Sequence, residues 1–189
     1  MQQPILETER LILRPFVDGD APRVAELAGD KAISDTTVRI PHPYSEEEAL
    51  LWIGRHKSIR DKGLALFYAV DLKESLELIG STGVDVDHIH SRGTIGYWIG
   101  REYWNRGYAT EAASLLLEYL FNVLKLHKVD SHHFARNLAS GRVLEKLGTK
   151  REGLLREHIS KSGSWEDVVE YGILENEYNL VETDLQRSG

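Results

Sequence analysis

Stretches with a two-residue hydrophobic period alternate along the chain with stretches of three- and four-residue period. The first kind predicts β-strands over residues 11–16, 66–72, 78–86, 94–99 and 128–134, then a closing hairpin over 150–158 and 165–174 that turns at Ser162-Gly163. The second kind predicts helices over residues 18–27, 45–62, 107–124 and 138–147. Strands and helices in this order predict an α/β (α+β) chain.

Local signals mark the ends of the predicted helices. Ser45 and Glu48 form a capping box, and Asp20 before an Ala-Pro pair suits an N-cap with proline in the first turn. Gly148 ends the last predicted helix. Two prolines keep the loop over residues 40–44 from being helical.

The start of the third predicted helix carries the most informative local chemistry. A polar loop follows the strand over residues 94–99, and Asn105-Arg106-Gly107 then opens the helix. The first turn of a helix leaves backbone N–H groups unpaired at the positive end of the helix dipole. Gly107 lets a ligand approach the backbone closely, and Arg106 adds a cation. We therefore predict a phosphate or pyrophosphate site, although this pattern alone is more often only a tight connection.

The spacing around Gly107 excludes the familiar phosphate loops, since neither Gly-x-x-x-x-Gly-Lys-Ser/Thr nor an early Gly-x-Gly-x-x-Gly occurs. The segment instead resembles motif A of the GNAT acyltransferases, Gln/Arg-x-x-Gly-x-Gly/Ala, and reads Trp104-Asn105-Arg106-Gly107-Tyr108-Ala109. Trp104 replaces the usual Gln/Arg, which is typical of the RimJ/RimL-type branch of ribosomal-protein N-terminal acetyltransferases. ETERLILRPF, NLASGRVLEKLG, and REGLLREH followed by WEDVVEYGIL resemble the same branch, so the likeness spans residues 7–178.

The resemblance implies the GNAT fold, a mixed and mostly antiparallel central sheet that splays between its fourth and fifth strands and is flanked by helices. Acetyl-CoA, the acetyl donor, enters the splay like a missing strand, because the pantetheine amides can pair with the backbone groups that splaying leaves free. The residues expected to bind it are Tyr97, Trp98 and Ile99 by their backbone, the pyrophosphate turn Trp104, Asn105, Arg106, Gly107, Tyr108, Ala109 and Thr110, and Asn137.

A second chemical segment opens the predicted helix over residues 138–147. From the sequence alone, Asn137 is first of all an ordinary helix N-cap. The resemblance adds catalytic roles, with Asn137 beside the pantetheine arm and Ser140 beside the CoA sulfur. Many GNAT enzymes have a tyrosine general acid four residues beyond this serine, and here that position is Leu144. Ser140 is then the hydroxyl expected to assist the leaving thiolate.

The sequence leaves the general base open. The candidates are carboxylates and imidazoles near the expected cleft, namely Asp85, Asp87, His88, His90, His132 and His133. His132 and His133 must point to opposite faces of their strand, so only one of them can face the cleft. The stretch from Asp85 to His90 matches no established metal-ligand spacing, and we expect no metal.

Composition and charge narrow the function class. Hydrophobic residues are 41% and charged residues 28% of 189, and no linker divides the chain, which predicts one domain over residues 1–180 and a C-terminal tail over 181–189. The net charge of −7 argues against nucleic-acid binding and mildly favours cationic acceptors. The absence of cysteine, of a signal-peptide core and of a long apolar run predicts a cytoplasmic protein without a membrane partner.

The predicted function is acetyl transfer from acetyl-CoA to a primary amine, first of all the α-amine of a peptide or protein N-terminus, by direct attack in a ternary complex. A lysine acceptor costs about 3.5 kcal/mol more in deprotonation than an α-amine, because their pKa values are about 10.4 and 7.7–8.0. The alternatives are a small-molecule amine (antibiotic, polyamine or amino-acid derivative) and a non-catalytic acyl-CoA sensor. The loops over residues 36–44 and 160–165 are expected to contact the acceptor, and the sequence is compatible with a monomer or a homodimer.

Overall fold

Residues 1–178, which the computed structural model describes, contain eight strands. The strands are β1 (Leu6–Glu7), β2 (Leu11–Pro15), β3 (Ala65–Leu72), β4 (Leu78–Asp87), β5 (Arg92–Ile99), β6 (Lys128–Phe134), β7 (Lys150–Lys161) and β8 (Ser164–Leu174). They form one sheet in the order β1-β2-β3-β4-β5-β6-β8-β7. β5 and β6 pair in parallel and the other neighbours are antiparallel, so the predicted mixed, mostly antiparallel sheet is confirmed.

Helices connect and cover the strands. They are α1 (Ala21–Ala28), α2 (Lys31–Ser34), α3 (Glu46–Asp61), α4 (Tyr108–Asn122) and α5 (Leu138–Lys146), with 3₁₀ turns at Asp18–Asp20 and Arg101–Tyr103. The predicted capping box begins α3, since Glu48 N donates to Ser45 Oγ and Ser45 N donates to Glu48 Oε2. Within residues 1–178 no helix is long and apolar enough to cross a membrane. The predicted tail over residues 181–189 lies outside the described residues.

Three local predictions differ from the structure. The helix expected over residues 18–27 begins as a 3₁₀ turn, and the Asp20 carboxylate accepts hydrogen bonds from Val17 N and Arg14 instead of capping α1. β1 and α2 were not predicted, because two and four residues are too short to show a hydrophobic period. β7 runs three residues further than expected, to Lys161, and its pairing with β8 is interrupted by bulges.

The two faces of the sheet carry different helices. Neighbouring strand residues point to opposite faces. In β3, Phe67 stacks on His56 of α3 with ring centroids 4.7 Å apart. The next residue, Tyr68, is fully buried on the other side, where Tyr119 of α4 interacts with it. We call these the α3 face and the α4 face.

α4 and α5 share the α4 face. The register places Tyr68, Thr82 and Tyr97 side by side across β3, β4 and β5, and the Tyr97 hydroxyl contacts Ser140 of α5. The buried stripe of α4 has the three- and four-residue spacing from which the helix was predicted, with Ala112, Ala113, Leu116, Leu117, Leu120 and Phe121 each at most 1% exposed. Burial of each large apolar side chain is worth about 1.5–3 kcal/mol, so α4 and the turn before it are held firmly to the sheet.

β5 and β6 part after three residue pairs. Their parallel register runs from Arg92↔Lys128 to Thr94↔Asp130, whereas β5 stays paired with β4 as far as Ile99. Residues 95–99 therefore have a strand neighbour on the β4 side, and the sheet opens on the β6 side. This confirms the splay between the fourth and fifth predicted strands, which is the feature that positions the candidate site.

Candidate active site

The turn before α4 is shaped by two residues with positive φ. Gly107 is the N-cap of α4 with φ +82°, and Asn105 has φ +62°, so both lie in the left-handed region. The first helical hydrogen bond runs from Glu111 N to Gly107 O at 3.0 Å. The N–H groups ahead of that bond are those that a helix start leaves without intrahelical partners. The predicted helix start near Gly107 is confirmed.

Trp104, where the sequence departs from the motif, ties this turn to the end of β5. Its indole Nε1 donates a hydrogen bond to Ile99 O at 2.6 Å. Trp104 therefore fixes the loop between β5 and α4, which is a structural role that the sequence comparison did not indicate.

Backbone groups of β5 alternate between β4 and the opening. Ile95 O accepts a hydrogen bond from Ser131 Oγ of β6 at 2.9 Å. Gly96 O accepts one from Thr82 Oγ1 of β4 at 3.3 Å. Because the N–H and C=O groups of one strand residue share a side, odd-numbered residues from 95 to 99 turn theirs toward the opening.

This alternation separates the three residues expected to pair with pantetheine. Tyr97 turns its N–H and C=O toward the opening. Trp98 turns its backbone groups to β4, and its carbonyl oxygen lies beside Gly80 there. Ile99 O faces the opening but is already bound by Trp104. Tyr97 is therefore the residue of the three best placed for a strand-like ligand, and Trp98 does not face the opening with its backbone.

Arg10, from the N-terminal part of the chain, holds the turn in place, and we call its contacts the Arg10 clamp. Its Nε donates to Glu111 Oε2 at 2.7 Å, its Nη1 donates to Arg106 O at 3.2 Å, and its guanidinium lies over the Tyr108 ring. Thr8 Oγ1 donates to the other oxygen of the Glu111 carboxylate. Sequence reasoning missed this clamp, because ETERL is about a hundred residues from the turn and nothing local connects the two.

Asn137 caps α5, as the sequence predicted. Its Oδ1 accepts a hydrogen bond from Ser140 N at 3.2 Å, and its own N–H donates to Phe134 O at 2.7 Å. The cap fixes the first turn of α5 and with it the position of Ser140 at the wall of the opening. Leu144, the position where the resemblance to GNAT enzymes would place a tyrosine, is fully buried in the core.

The Ser140 side chain meets the Tyr97 side chain across the opening. The Tyr97 hydroxyl lies 2.9 Å from Ser140 Oγ and 3.2 Å from Ser140 O. Burial raises the pKa of Tyr97 to about 12, and the hydrogen bond with Ser140 opposes this shift. Tyr97 is therefore a neutral phenol at physiological pH.

The candidate bases before β5 are engaged in local structure. Asp85 pairs with Arg39 at 3.1 Å, and the Asp87 carboxylate accepts hydrogen bonds from two backbone N–H groups at the hairpin tip. A ring nitrogen of His88, Nε2, is 2.6 Å from Gly63 O. Within residues 1–178 no three His, Cys, Asp or Glu side chains cluster as metal ligands would.

The two histidines of β6 point to opposite faces, as predicted. His133 is buried on the α4 face, and its Nδ1 lies 2.8 Å from Phe134 O, which only accepts, so Nδ1 carries the proton. His132 lies on the α3 face with part of its surface exposed and part covered, beside Glu170 in the register of β6 and β8.

The environment of His132 keeps its ring neutral. Partial desolvation of the ring is the main reason why its pKa lies below 6.5. Asp130 and Glu170 act in the opposite direction, and Arg39 and His158 add to the lowering. At pH 7 the imidazole can therefore accept a proton, as a general base must.

Carboxylates flank the splay point on the α3 face. Asp85 shares this face with Phe67, and the register places Asp85, Thr94 and Asp130 side by side across β4, β5 and β6. His132 follows Asp130 by two residues and so lies on the same face. The opening thus has the Gly107 helix start and a hydroxyl pair on its α4 face, and acidic side chains with a neutral imidazole on its α3 face.

The two loops expected to contact an acceptor meet on the α3 side. Lys161 Nζ donates to Ile40 O at 2.7 Å, and Arg136 joins Glu166 of β8 to Asp35 O. The segment after α2 is therefore fastened to the β7–β8 hairpin.

Comparisons with known proteins identify the family of this chain. Residues 10–150 match the family model described as Acetyltransferase (GNAT) domain. The uncharacterized N-acetyltransferase YnaD of Bacillus subtilis (strain 168) is 33% identical over 175 residues, 92% of this chain and 99% of the relative. Two relatives whose names state a substrate are less similar. The [ribosomal protein uS5]-alanine N-acetyltransferase of Escherichia coli (strain K12) is 23% identical over 87% of each chain. The spermidine N(1)-acetyltransferase of Vibrio cholerae is 26% identical over 89% of this chain and 95% of the relative.

Solved structures share the fold. A GNAT-family acetyltransferase from Bacillus anthracis aligns with a TM-score of 0.82 at 28% identity, over 92% of this chain and 99% of the other. RimL, a ribosomal L7/L12 α-N-protein acetyltransferase in complex with coenzyme A, aligns with a TM-score of 0.84 at 18% identity, over 90% and 98%. With a family model across most of its length and full-length relatives above 30% identity, this chain belongs to the GNAT family of N-acetyltransferases.

Proposed function

We propose that this GNAT N-acetyltransferase transfers the acetyl group of acetyl-CoA to the α-amine of a peptide or protein N-terminus. The observation that carries the proposal is the opening between β5 and β6, which has the Gly107 turn at one end and the Ser140 hydroxyl on its wall. The opening offers a site for the pyrophosphate, a free strand edge for the pantetheine arm and a hydroxyl for the thioester sulfur. These groups follow one another in the same order along an extended acyl-CoA.

The pyrophosphate of acetyl-CoA belongs at the turn over residues 104–110. The left-handed Gly107 leaves no side chain between a ligand and the N–H groups of the first turn of α4. A Cβ added at Gly107 would meet Arg10 Nη2 at 3.5 Å, so the space beside the turn is bordered by a cation. The pantetheine arm would then pair with the Tyr97 backbone and pass Asn137.

The acceptor amine approaches from the α3 face. Asp85, Asp130 and Glu170 line that side, where Arg39 pairs with Asp85 and Arg92 with Asp130. His132 lies among them as a neutral imidazole and is the base that we assign. The neutral amine attacks the thioester carbonyl, a backbone N–H of β5 polarises that carbonyl, and Ser140 assists the leaving sulfur.

Two matched peptides test the acceptor. One has a free N-terminus and a blocked lysine, and the other has an acetylated N-terminus and a free lysine. We expect the first to release CoA at least tenfold faster, because its amine is far more often neutral at pH 7. Faster turnover of the lysine peptide, or activity confined to spermidine added as a third acceptor, would contradict the α-amine assignment and leave the acetyl-CoA site untouched.

The pH profile of the first peptide is a second readout of the same proposal. The pKa of His132 is lowered from 6.5, so its ring is already unprotonated through the range where the amine titrates. The plot of log(kcat/KM) against pH should therefore have a single rising limb, which bends at the α-amine pKa of about 8 and is level above it.

Arg10→Ala is expected to weaken acetyl-CoA binding about fivefold. The substitution removes a cation beside the turn and the hydrogen bonds that hold Glu111 and the Arg106 carbonyl, and one such charge is worth about 1 kcal/mol. Lys57→Ala is the control, since it removes one positive charge from a residue of α3 that pairs with Asp61. Calorimetry should show a loss in the first variant alone, and equal affinities in both would remove Arg10 from the site.

A further inference from the structure

We propose that the Tyr97 side chain is a positioning residue that orients the Ser140 hydroxyl toward the sulfur of acetyl-CoA. The inference rests on the proposed role of Ser140 and extends it to a residue whose backbone alone had a predicted role. It starts from one contact, the 2.9 Å approach of the Tyr97 hydroxyl to Ser140 Oγ across the opening.

The two hydroxyls can share their protons in two ways. In the first, the phenol donates to Ser140 O, 3.2 Å away, and the serine hydroxyl donates to the phenol oxygen. In the second, the phenol donates to Ser140 Oγ, and the serine proton is left for another acceptor. A hydroxyl has one proton, so of the two arrangements that bond the hydroxyls to each other only the second lets Ser140 donate to a sulfur.

Negative charge on the sulfur selects the second arrangement. When the amine nitrogen bonds to the acetyl carbon, the C–S bond breaks and its electron pair stays on sulfur. The serine hydroxyl then donates a charge-assisted hydrogen bond to the thiolate, which is stronger than its bond to a neutral phenol. The amine supplies the proton that finally neutralises the sulfur, so neither hydroxyl has to ionise.

The surroundings of Tyr97 suit this role better than that of a proton donor. Burial disfavours the phenolate, so Tyr97 keeps its proton over the whole working pH range. Two hydroxyls in series polarise each other, and the phenol thereby strengthens the serine as a donor. The core residue Leu144 leaves no phenol on α5 for this task, and Tyr97 reaches the same serine from β5.

Tyr97→Phe tests the proposal, because it removes the hydroxyl and keeps the ring. We expect kcat to fall about tenfold, with KM for acetyl-CoA within twofold of the parent and the same loss at every pH from 6 to 9. Tyr119→Phe is the matched control, a buried phenol on α4 that donates to Gln2 O at 2.9 Å, and its kcat should not change. In the Ser140→Ala background the Tyr97 substitution should have no further effect.

Each other outcome overturns the assignment. An unchanged kcat in Tyr97→Phe beside an impaired Ser140→Ala would remove Tyr97 and leave the serine mechanism standing. A loss that adds to that of Ser140→Ala, or that grows with pH, would give Tyr97 an independent role. Unchanged turnover in Ser140→Ala itself would remove the proposed role of the serine, on which this inference rests, whereas a chain that releases no CoA with any amine would contradict the proposed function, so the two failures are distinguishable.

Discussion

Gly107→Val is expected to weaken acetyl-CoA binding at least tenfold, about 1.4 kcal/mol. A β-branched residue at φ +82° is strained by more than the 1–2 kcal/mol or so of an ordinary side chain, so the turn must shift. The valine methyl groups would also stand where the pyrophosphate has to approach the backbone. Calorimetric titration with CoA measures the loss.

Gly163→Val is the matched control for that experiment. Gly163 has the same φ of +82°, and a Cβ there meets nothing within 4 Å, but it lies in the β7–β8 turn. The same backbone strain is thus placed away from the opening. CoA affinity should be that of the parent chain in this variant, and parental affinity in a folded Gly107→Val protein would show that the pyrophosphate binds elsewhere.

Ser140→Ala is expected to lower kcat about ten- to hundredfold with little change in acetyl-CoA affinity. A hydrogen bond to a charged group is worth about 1.5–3 kcal/mol, and this one forms fully only when the thiolate develops. Steady-state and single-turnover kinetics separate the effect on chemistry from product release. Ser114, an exposed serine on α4, is the control, and its alanine variant should turn over normally.

If Ser140→Ala keeps its full turnover while chemistry is rate-limiting, serine is not part of the mechanism. A rise in KM for acetyl-CoA without a change in kcat would make Ser140 a binding residue. Both results would leave the Gly107 turn as the cofactor site, because the two predictions rest on different elements, α4 and α5.

Local features of the site could be predicted from the sequence because their physics is local. The helix start at Gly107 follows from a glycine before an amphipathic helix, and the Asn137 cap follows from an asparagine before another. The opposite orientation of His132 and His133 follows from the two-residue period of a strand. The splay of the sheet needed the family resemblance, because nothing in the hydrophobic pattern marks where two strands part.

Contacts between distant segments could not be predicted. The clamp of Arg10 on Glu111 joins the first strands to α4, and the contact between Tyr97 and Ser140 joins β5 to α5. Each depends on the register of the whole sheet, which a single sequence does not encode in any short window. The direction of the Trp98 backbone groups, toward β4, also depends on the register. If β5 were shifted by one residue, Tyr97 would turn its backbone groups to β4 and Trp98 would turn them to the opening.

A crystal structure of the protein with acetyl-CoA is the most direct test of the central claim, that acetyl-CoA lies in the opening between β5 and β6. The account predicts pyrophosphate oxygens bound to the backbone N–H groups that follow Gly107, a pantetheine amide paired with the Tyr97 backbone, and the sulfur within hydrogen-bonding distance of Ser140 Oγ. Acetyl-CoA bound outside this opening, or with its sulfur far from Ser140, would contradict it.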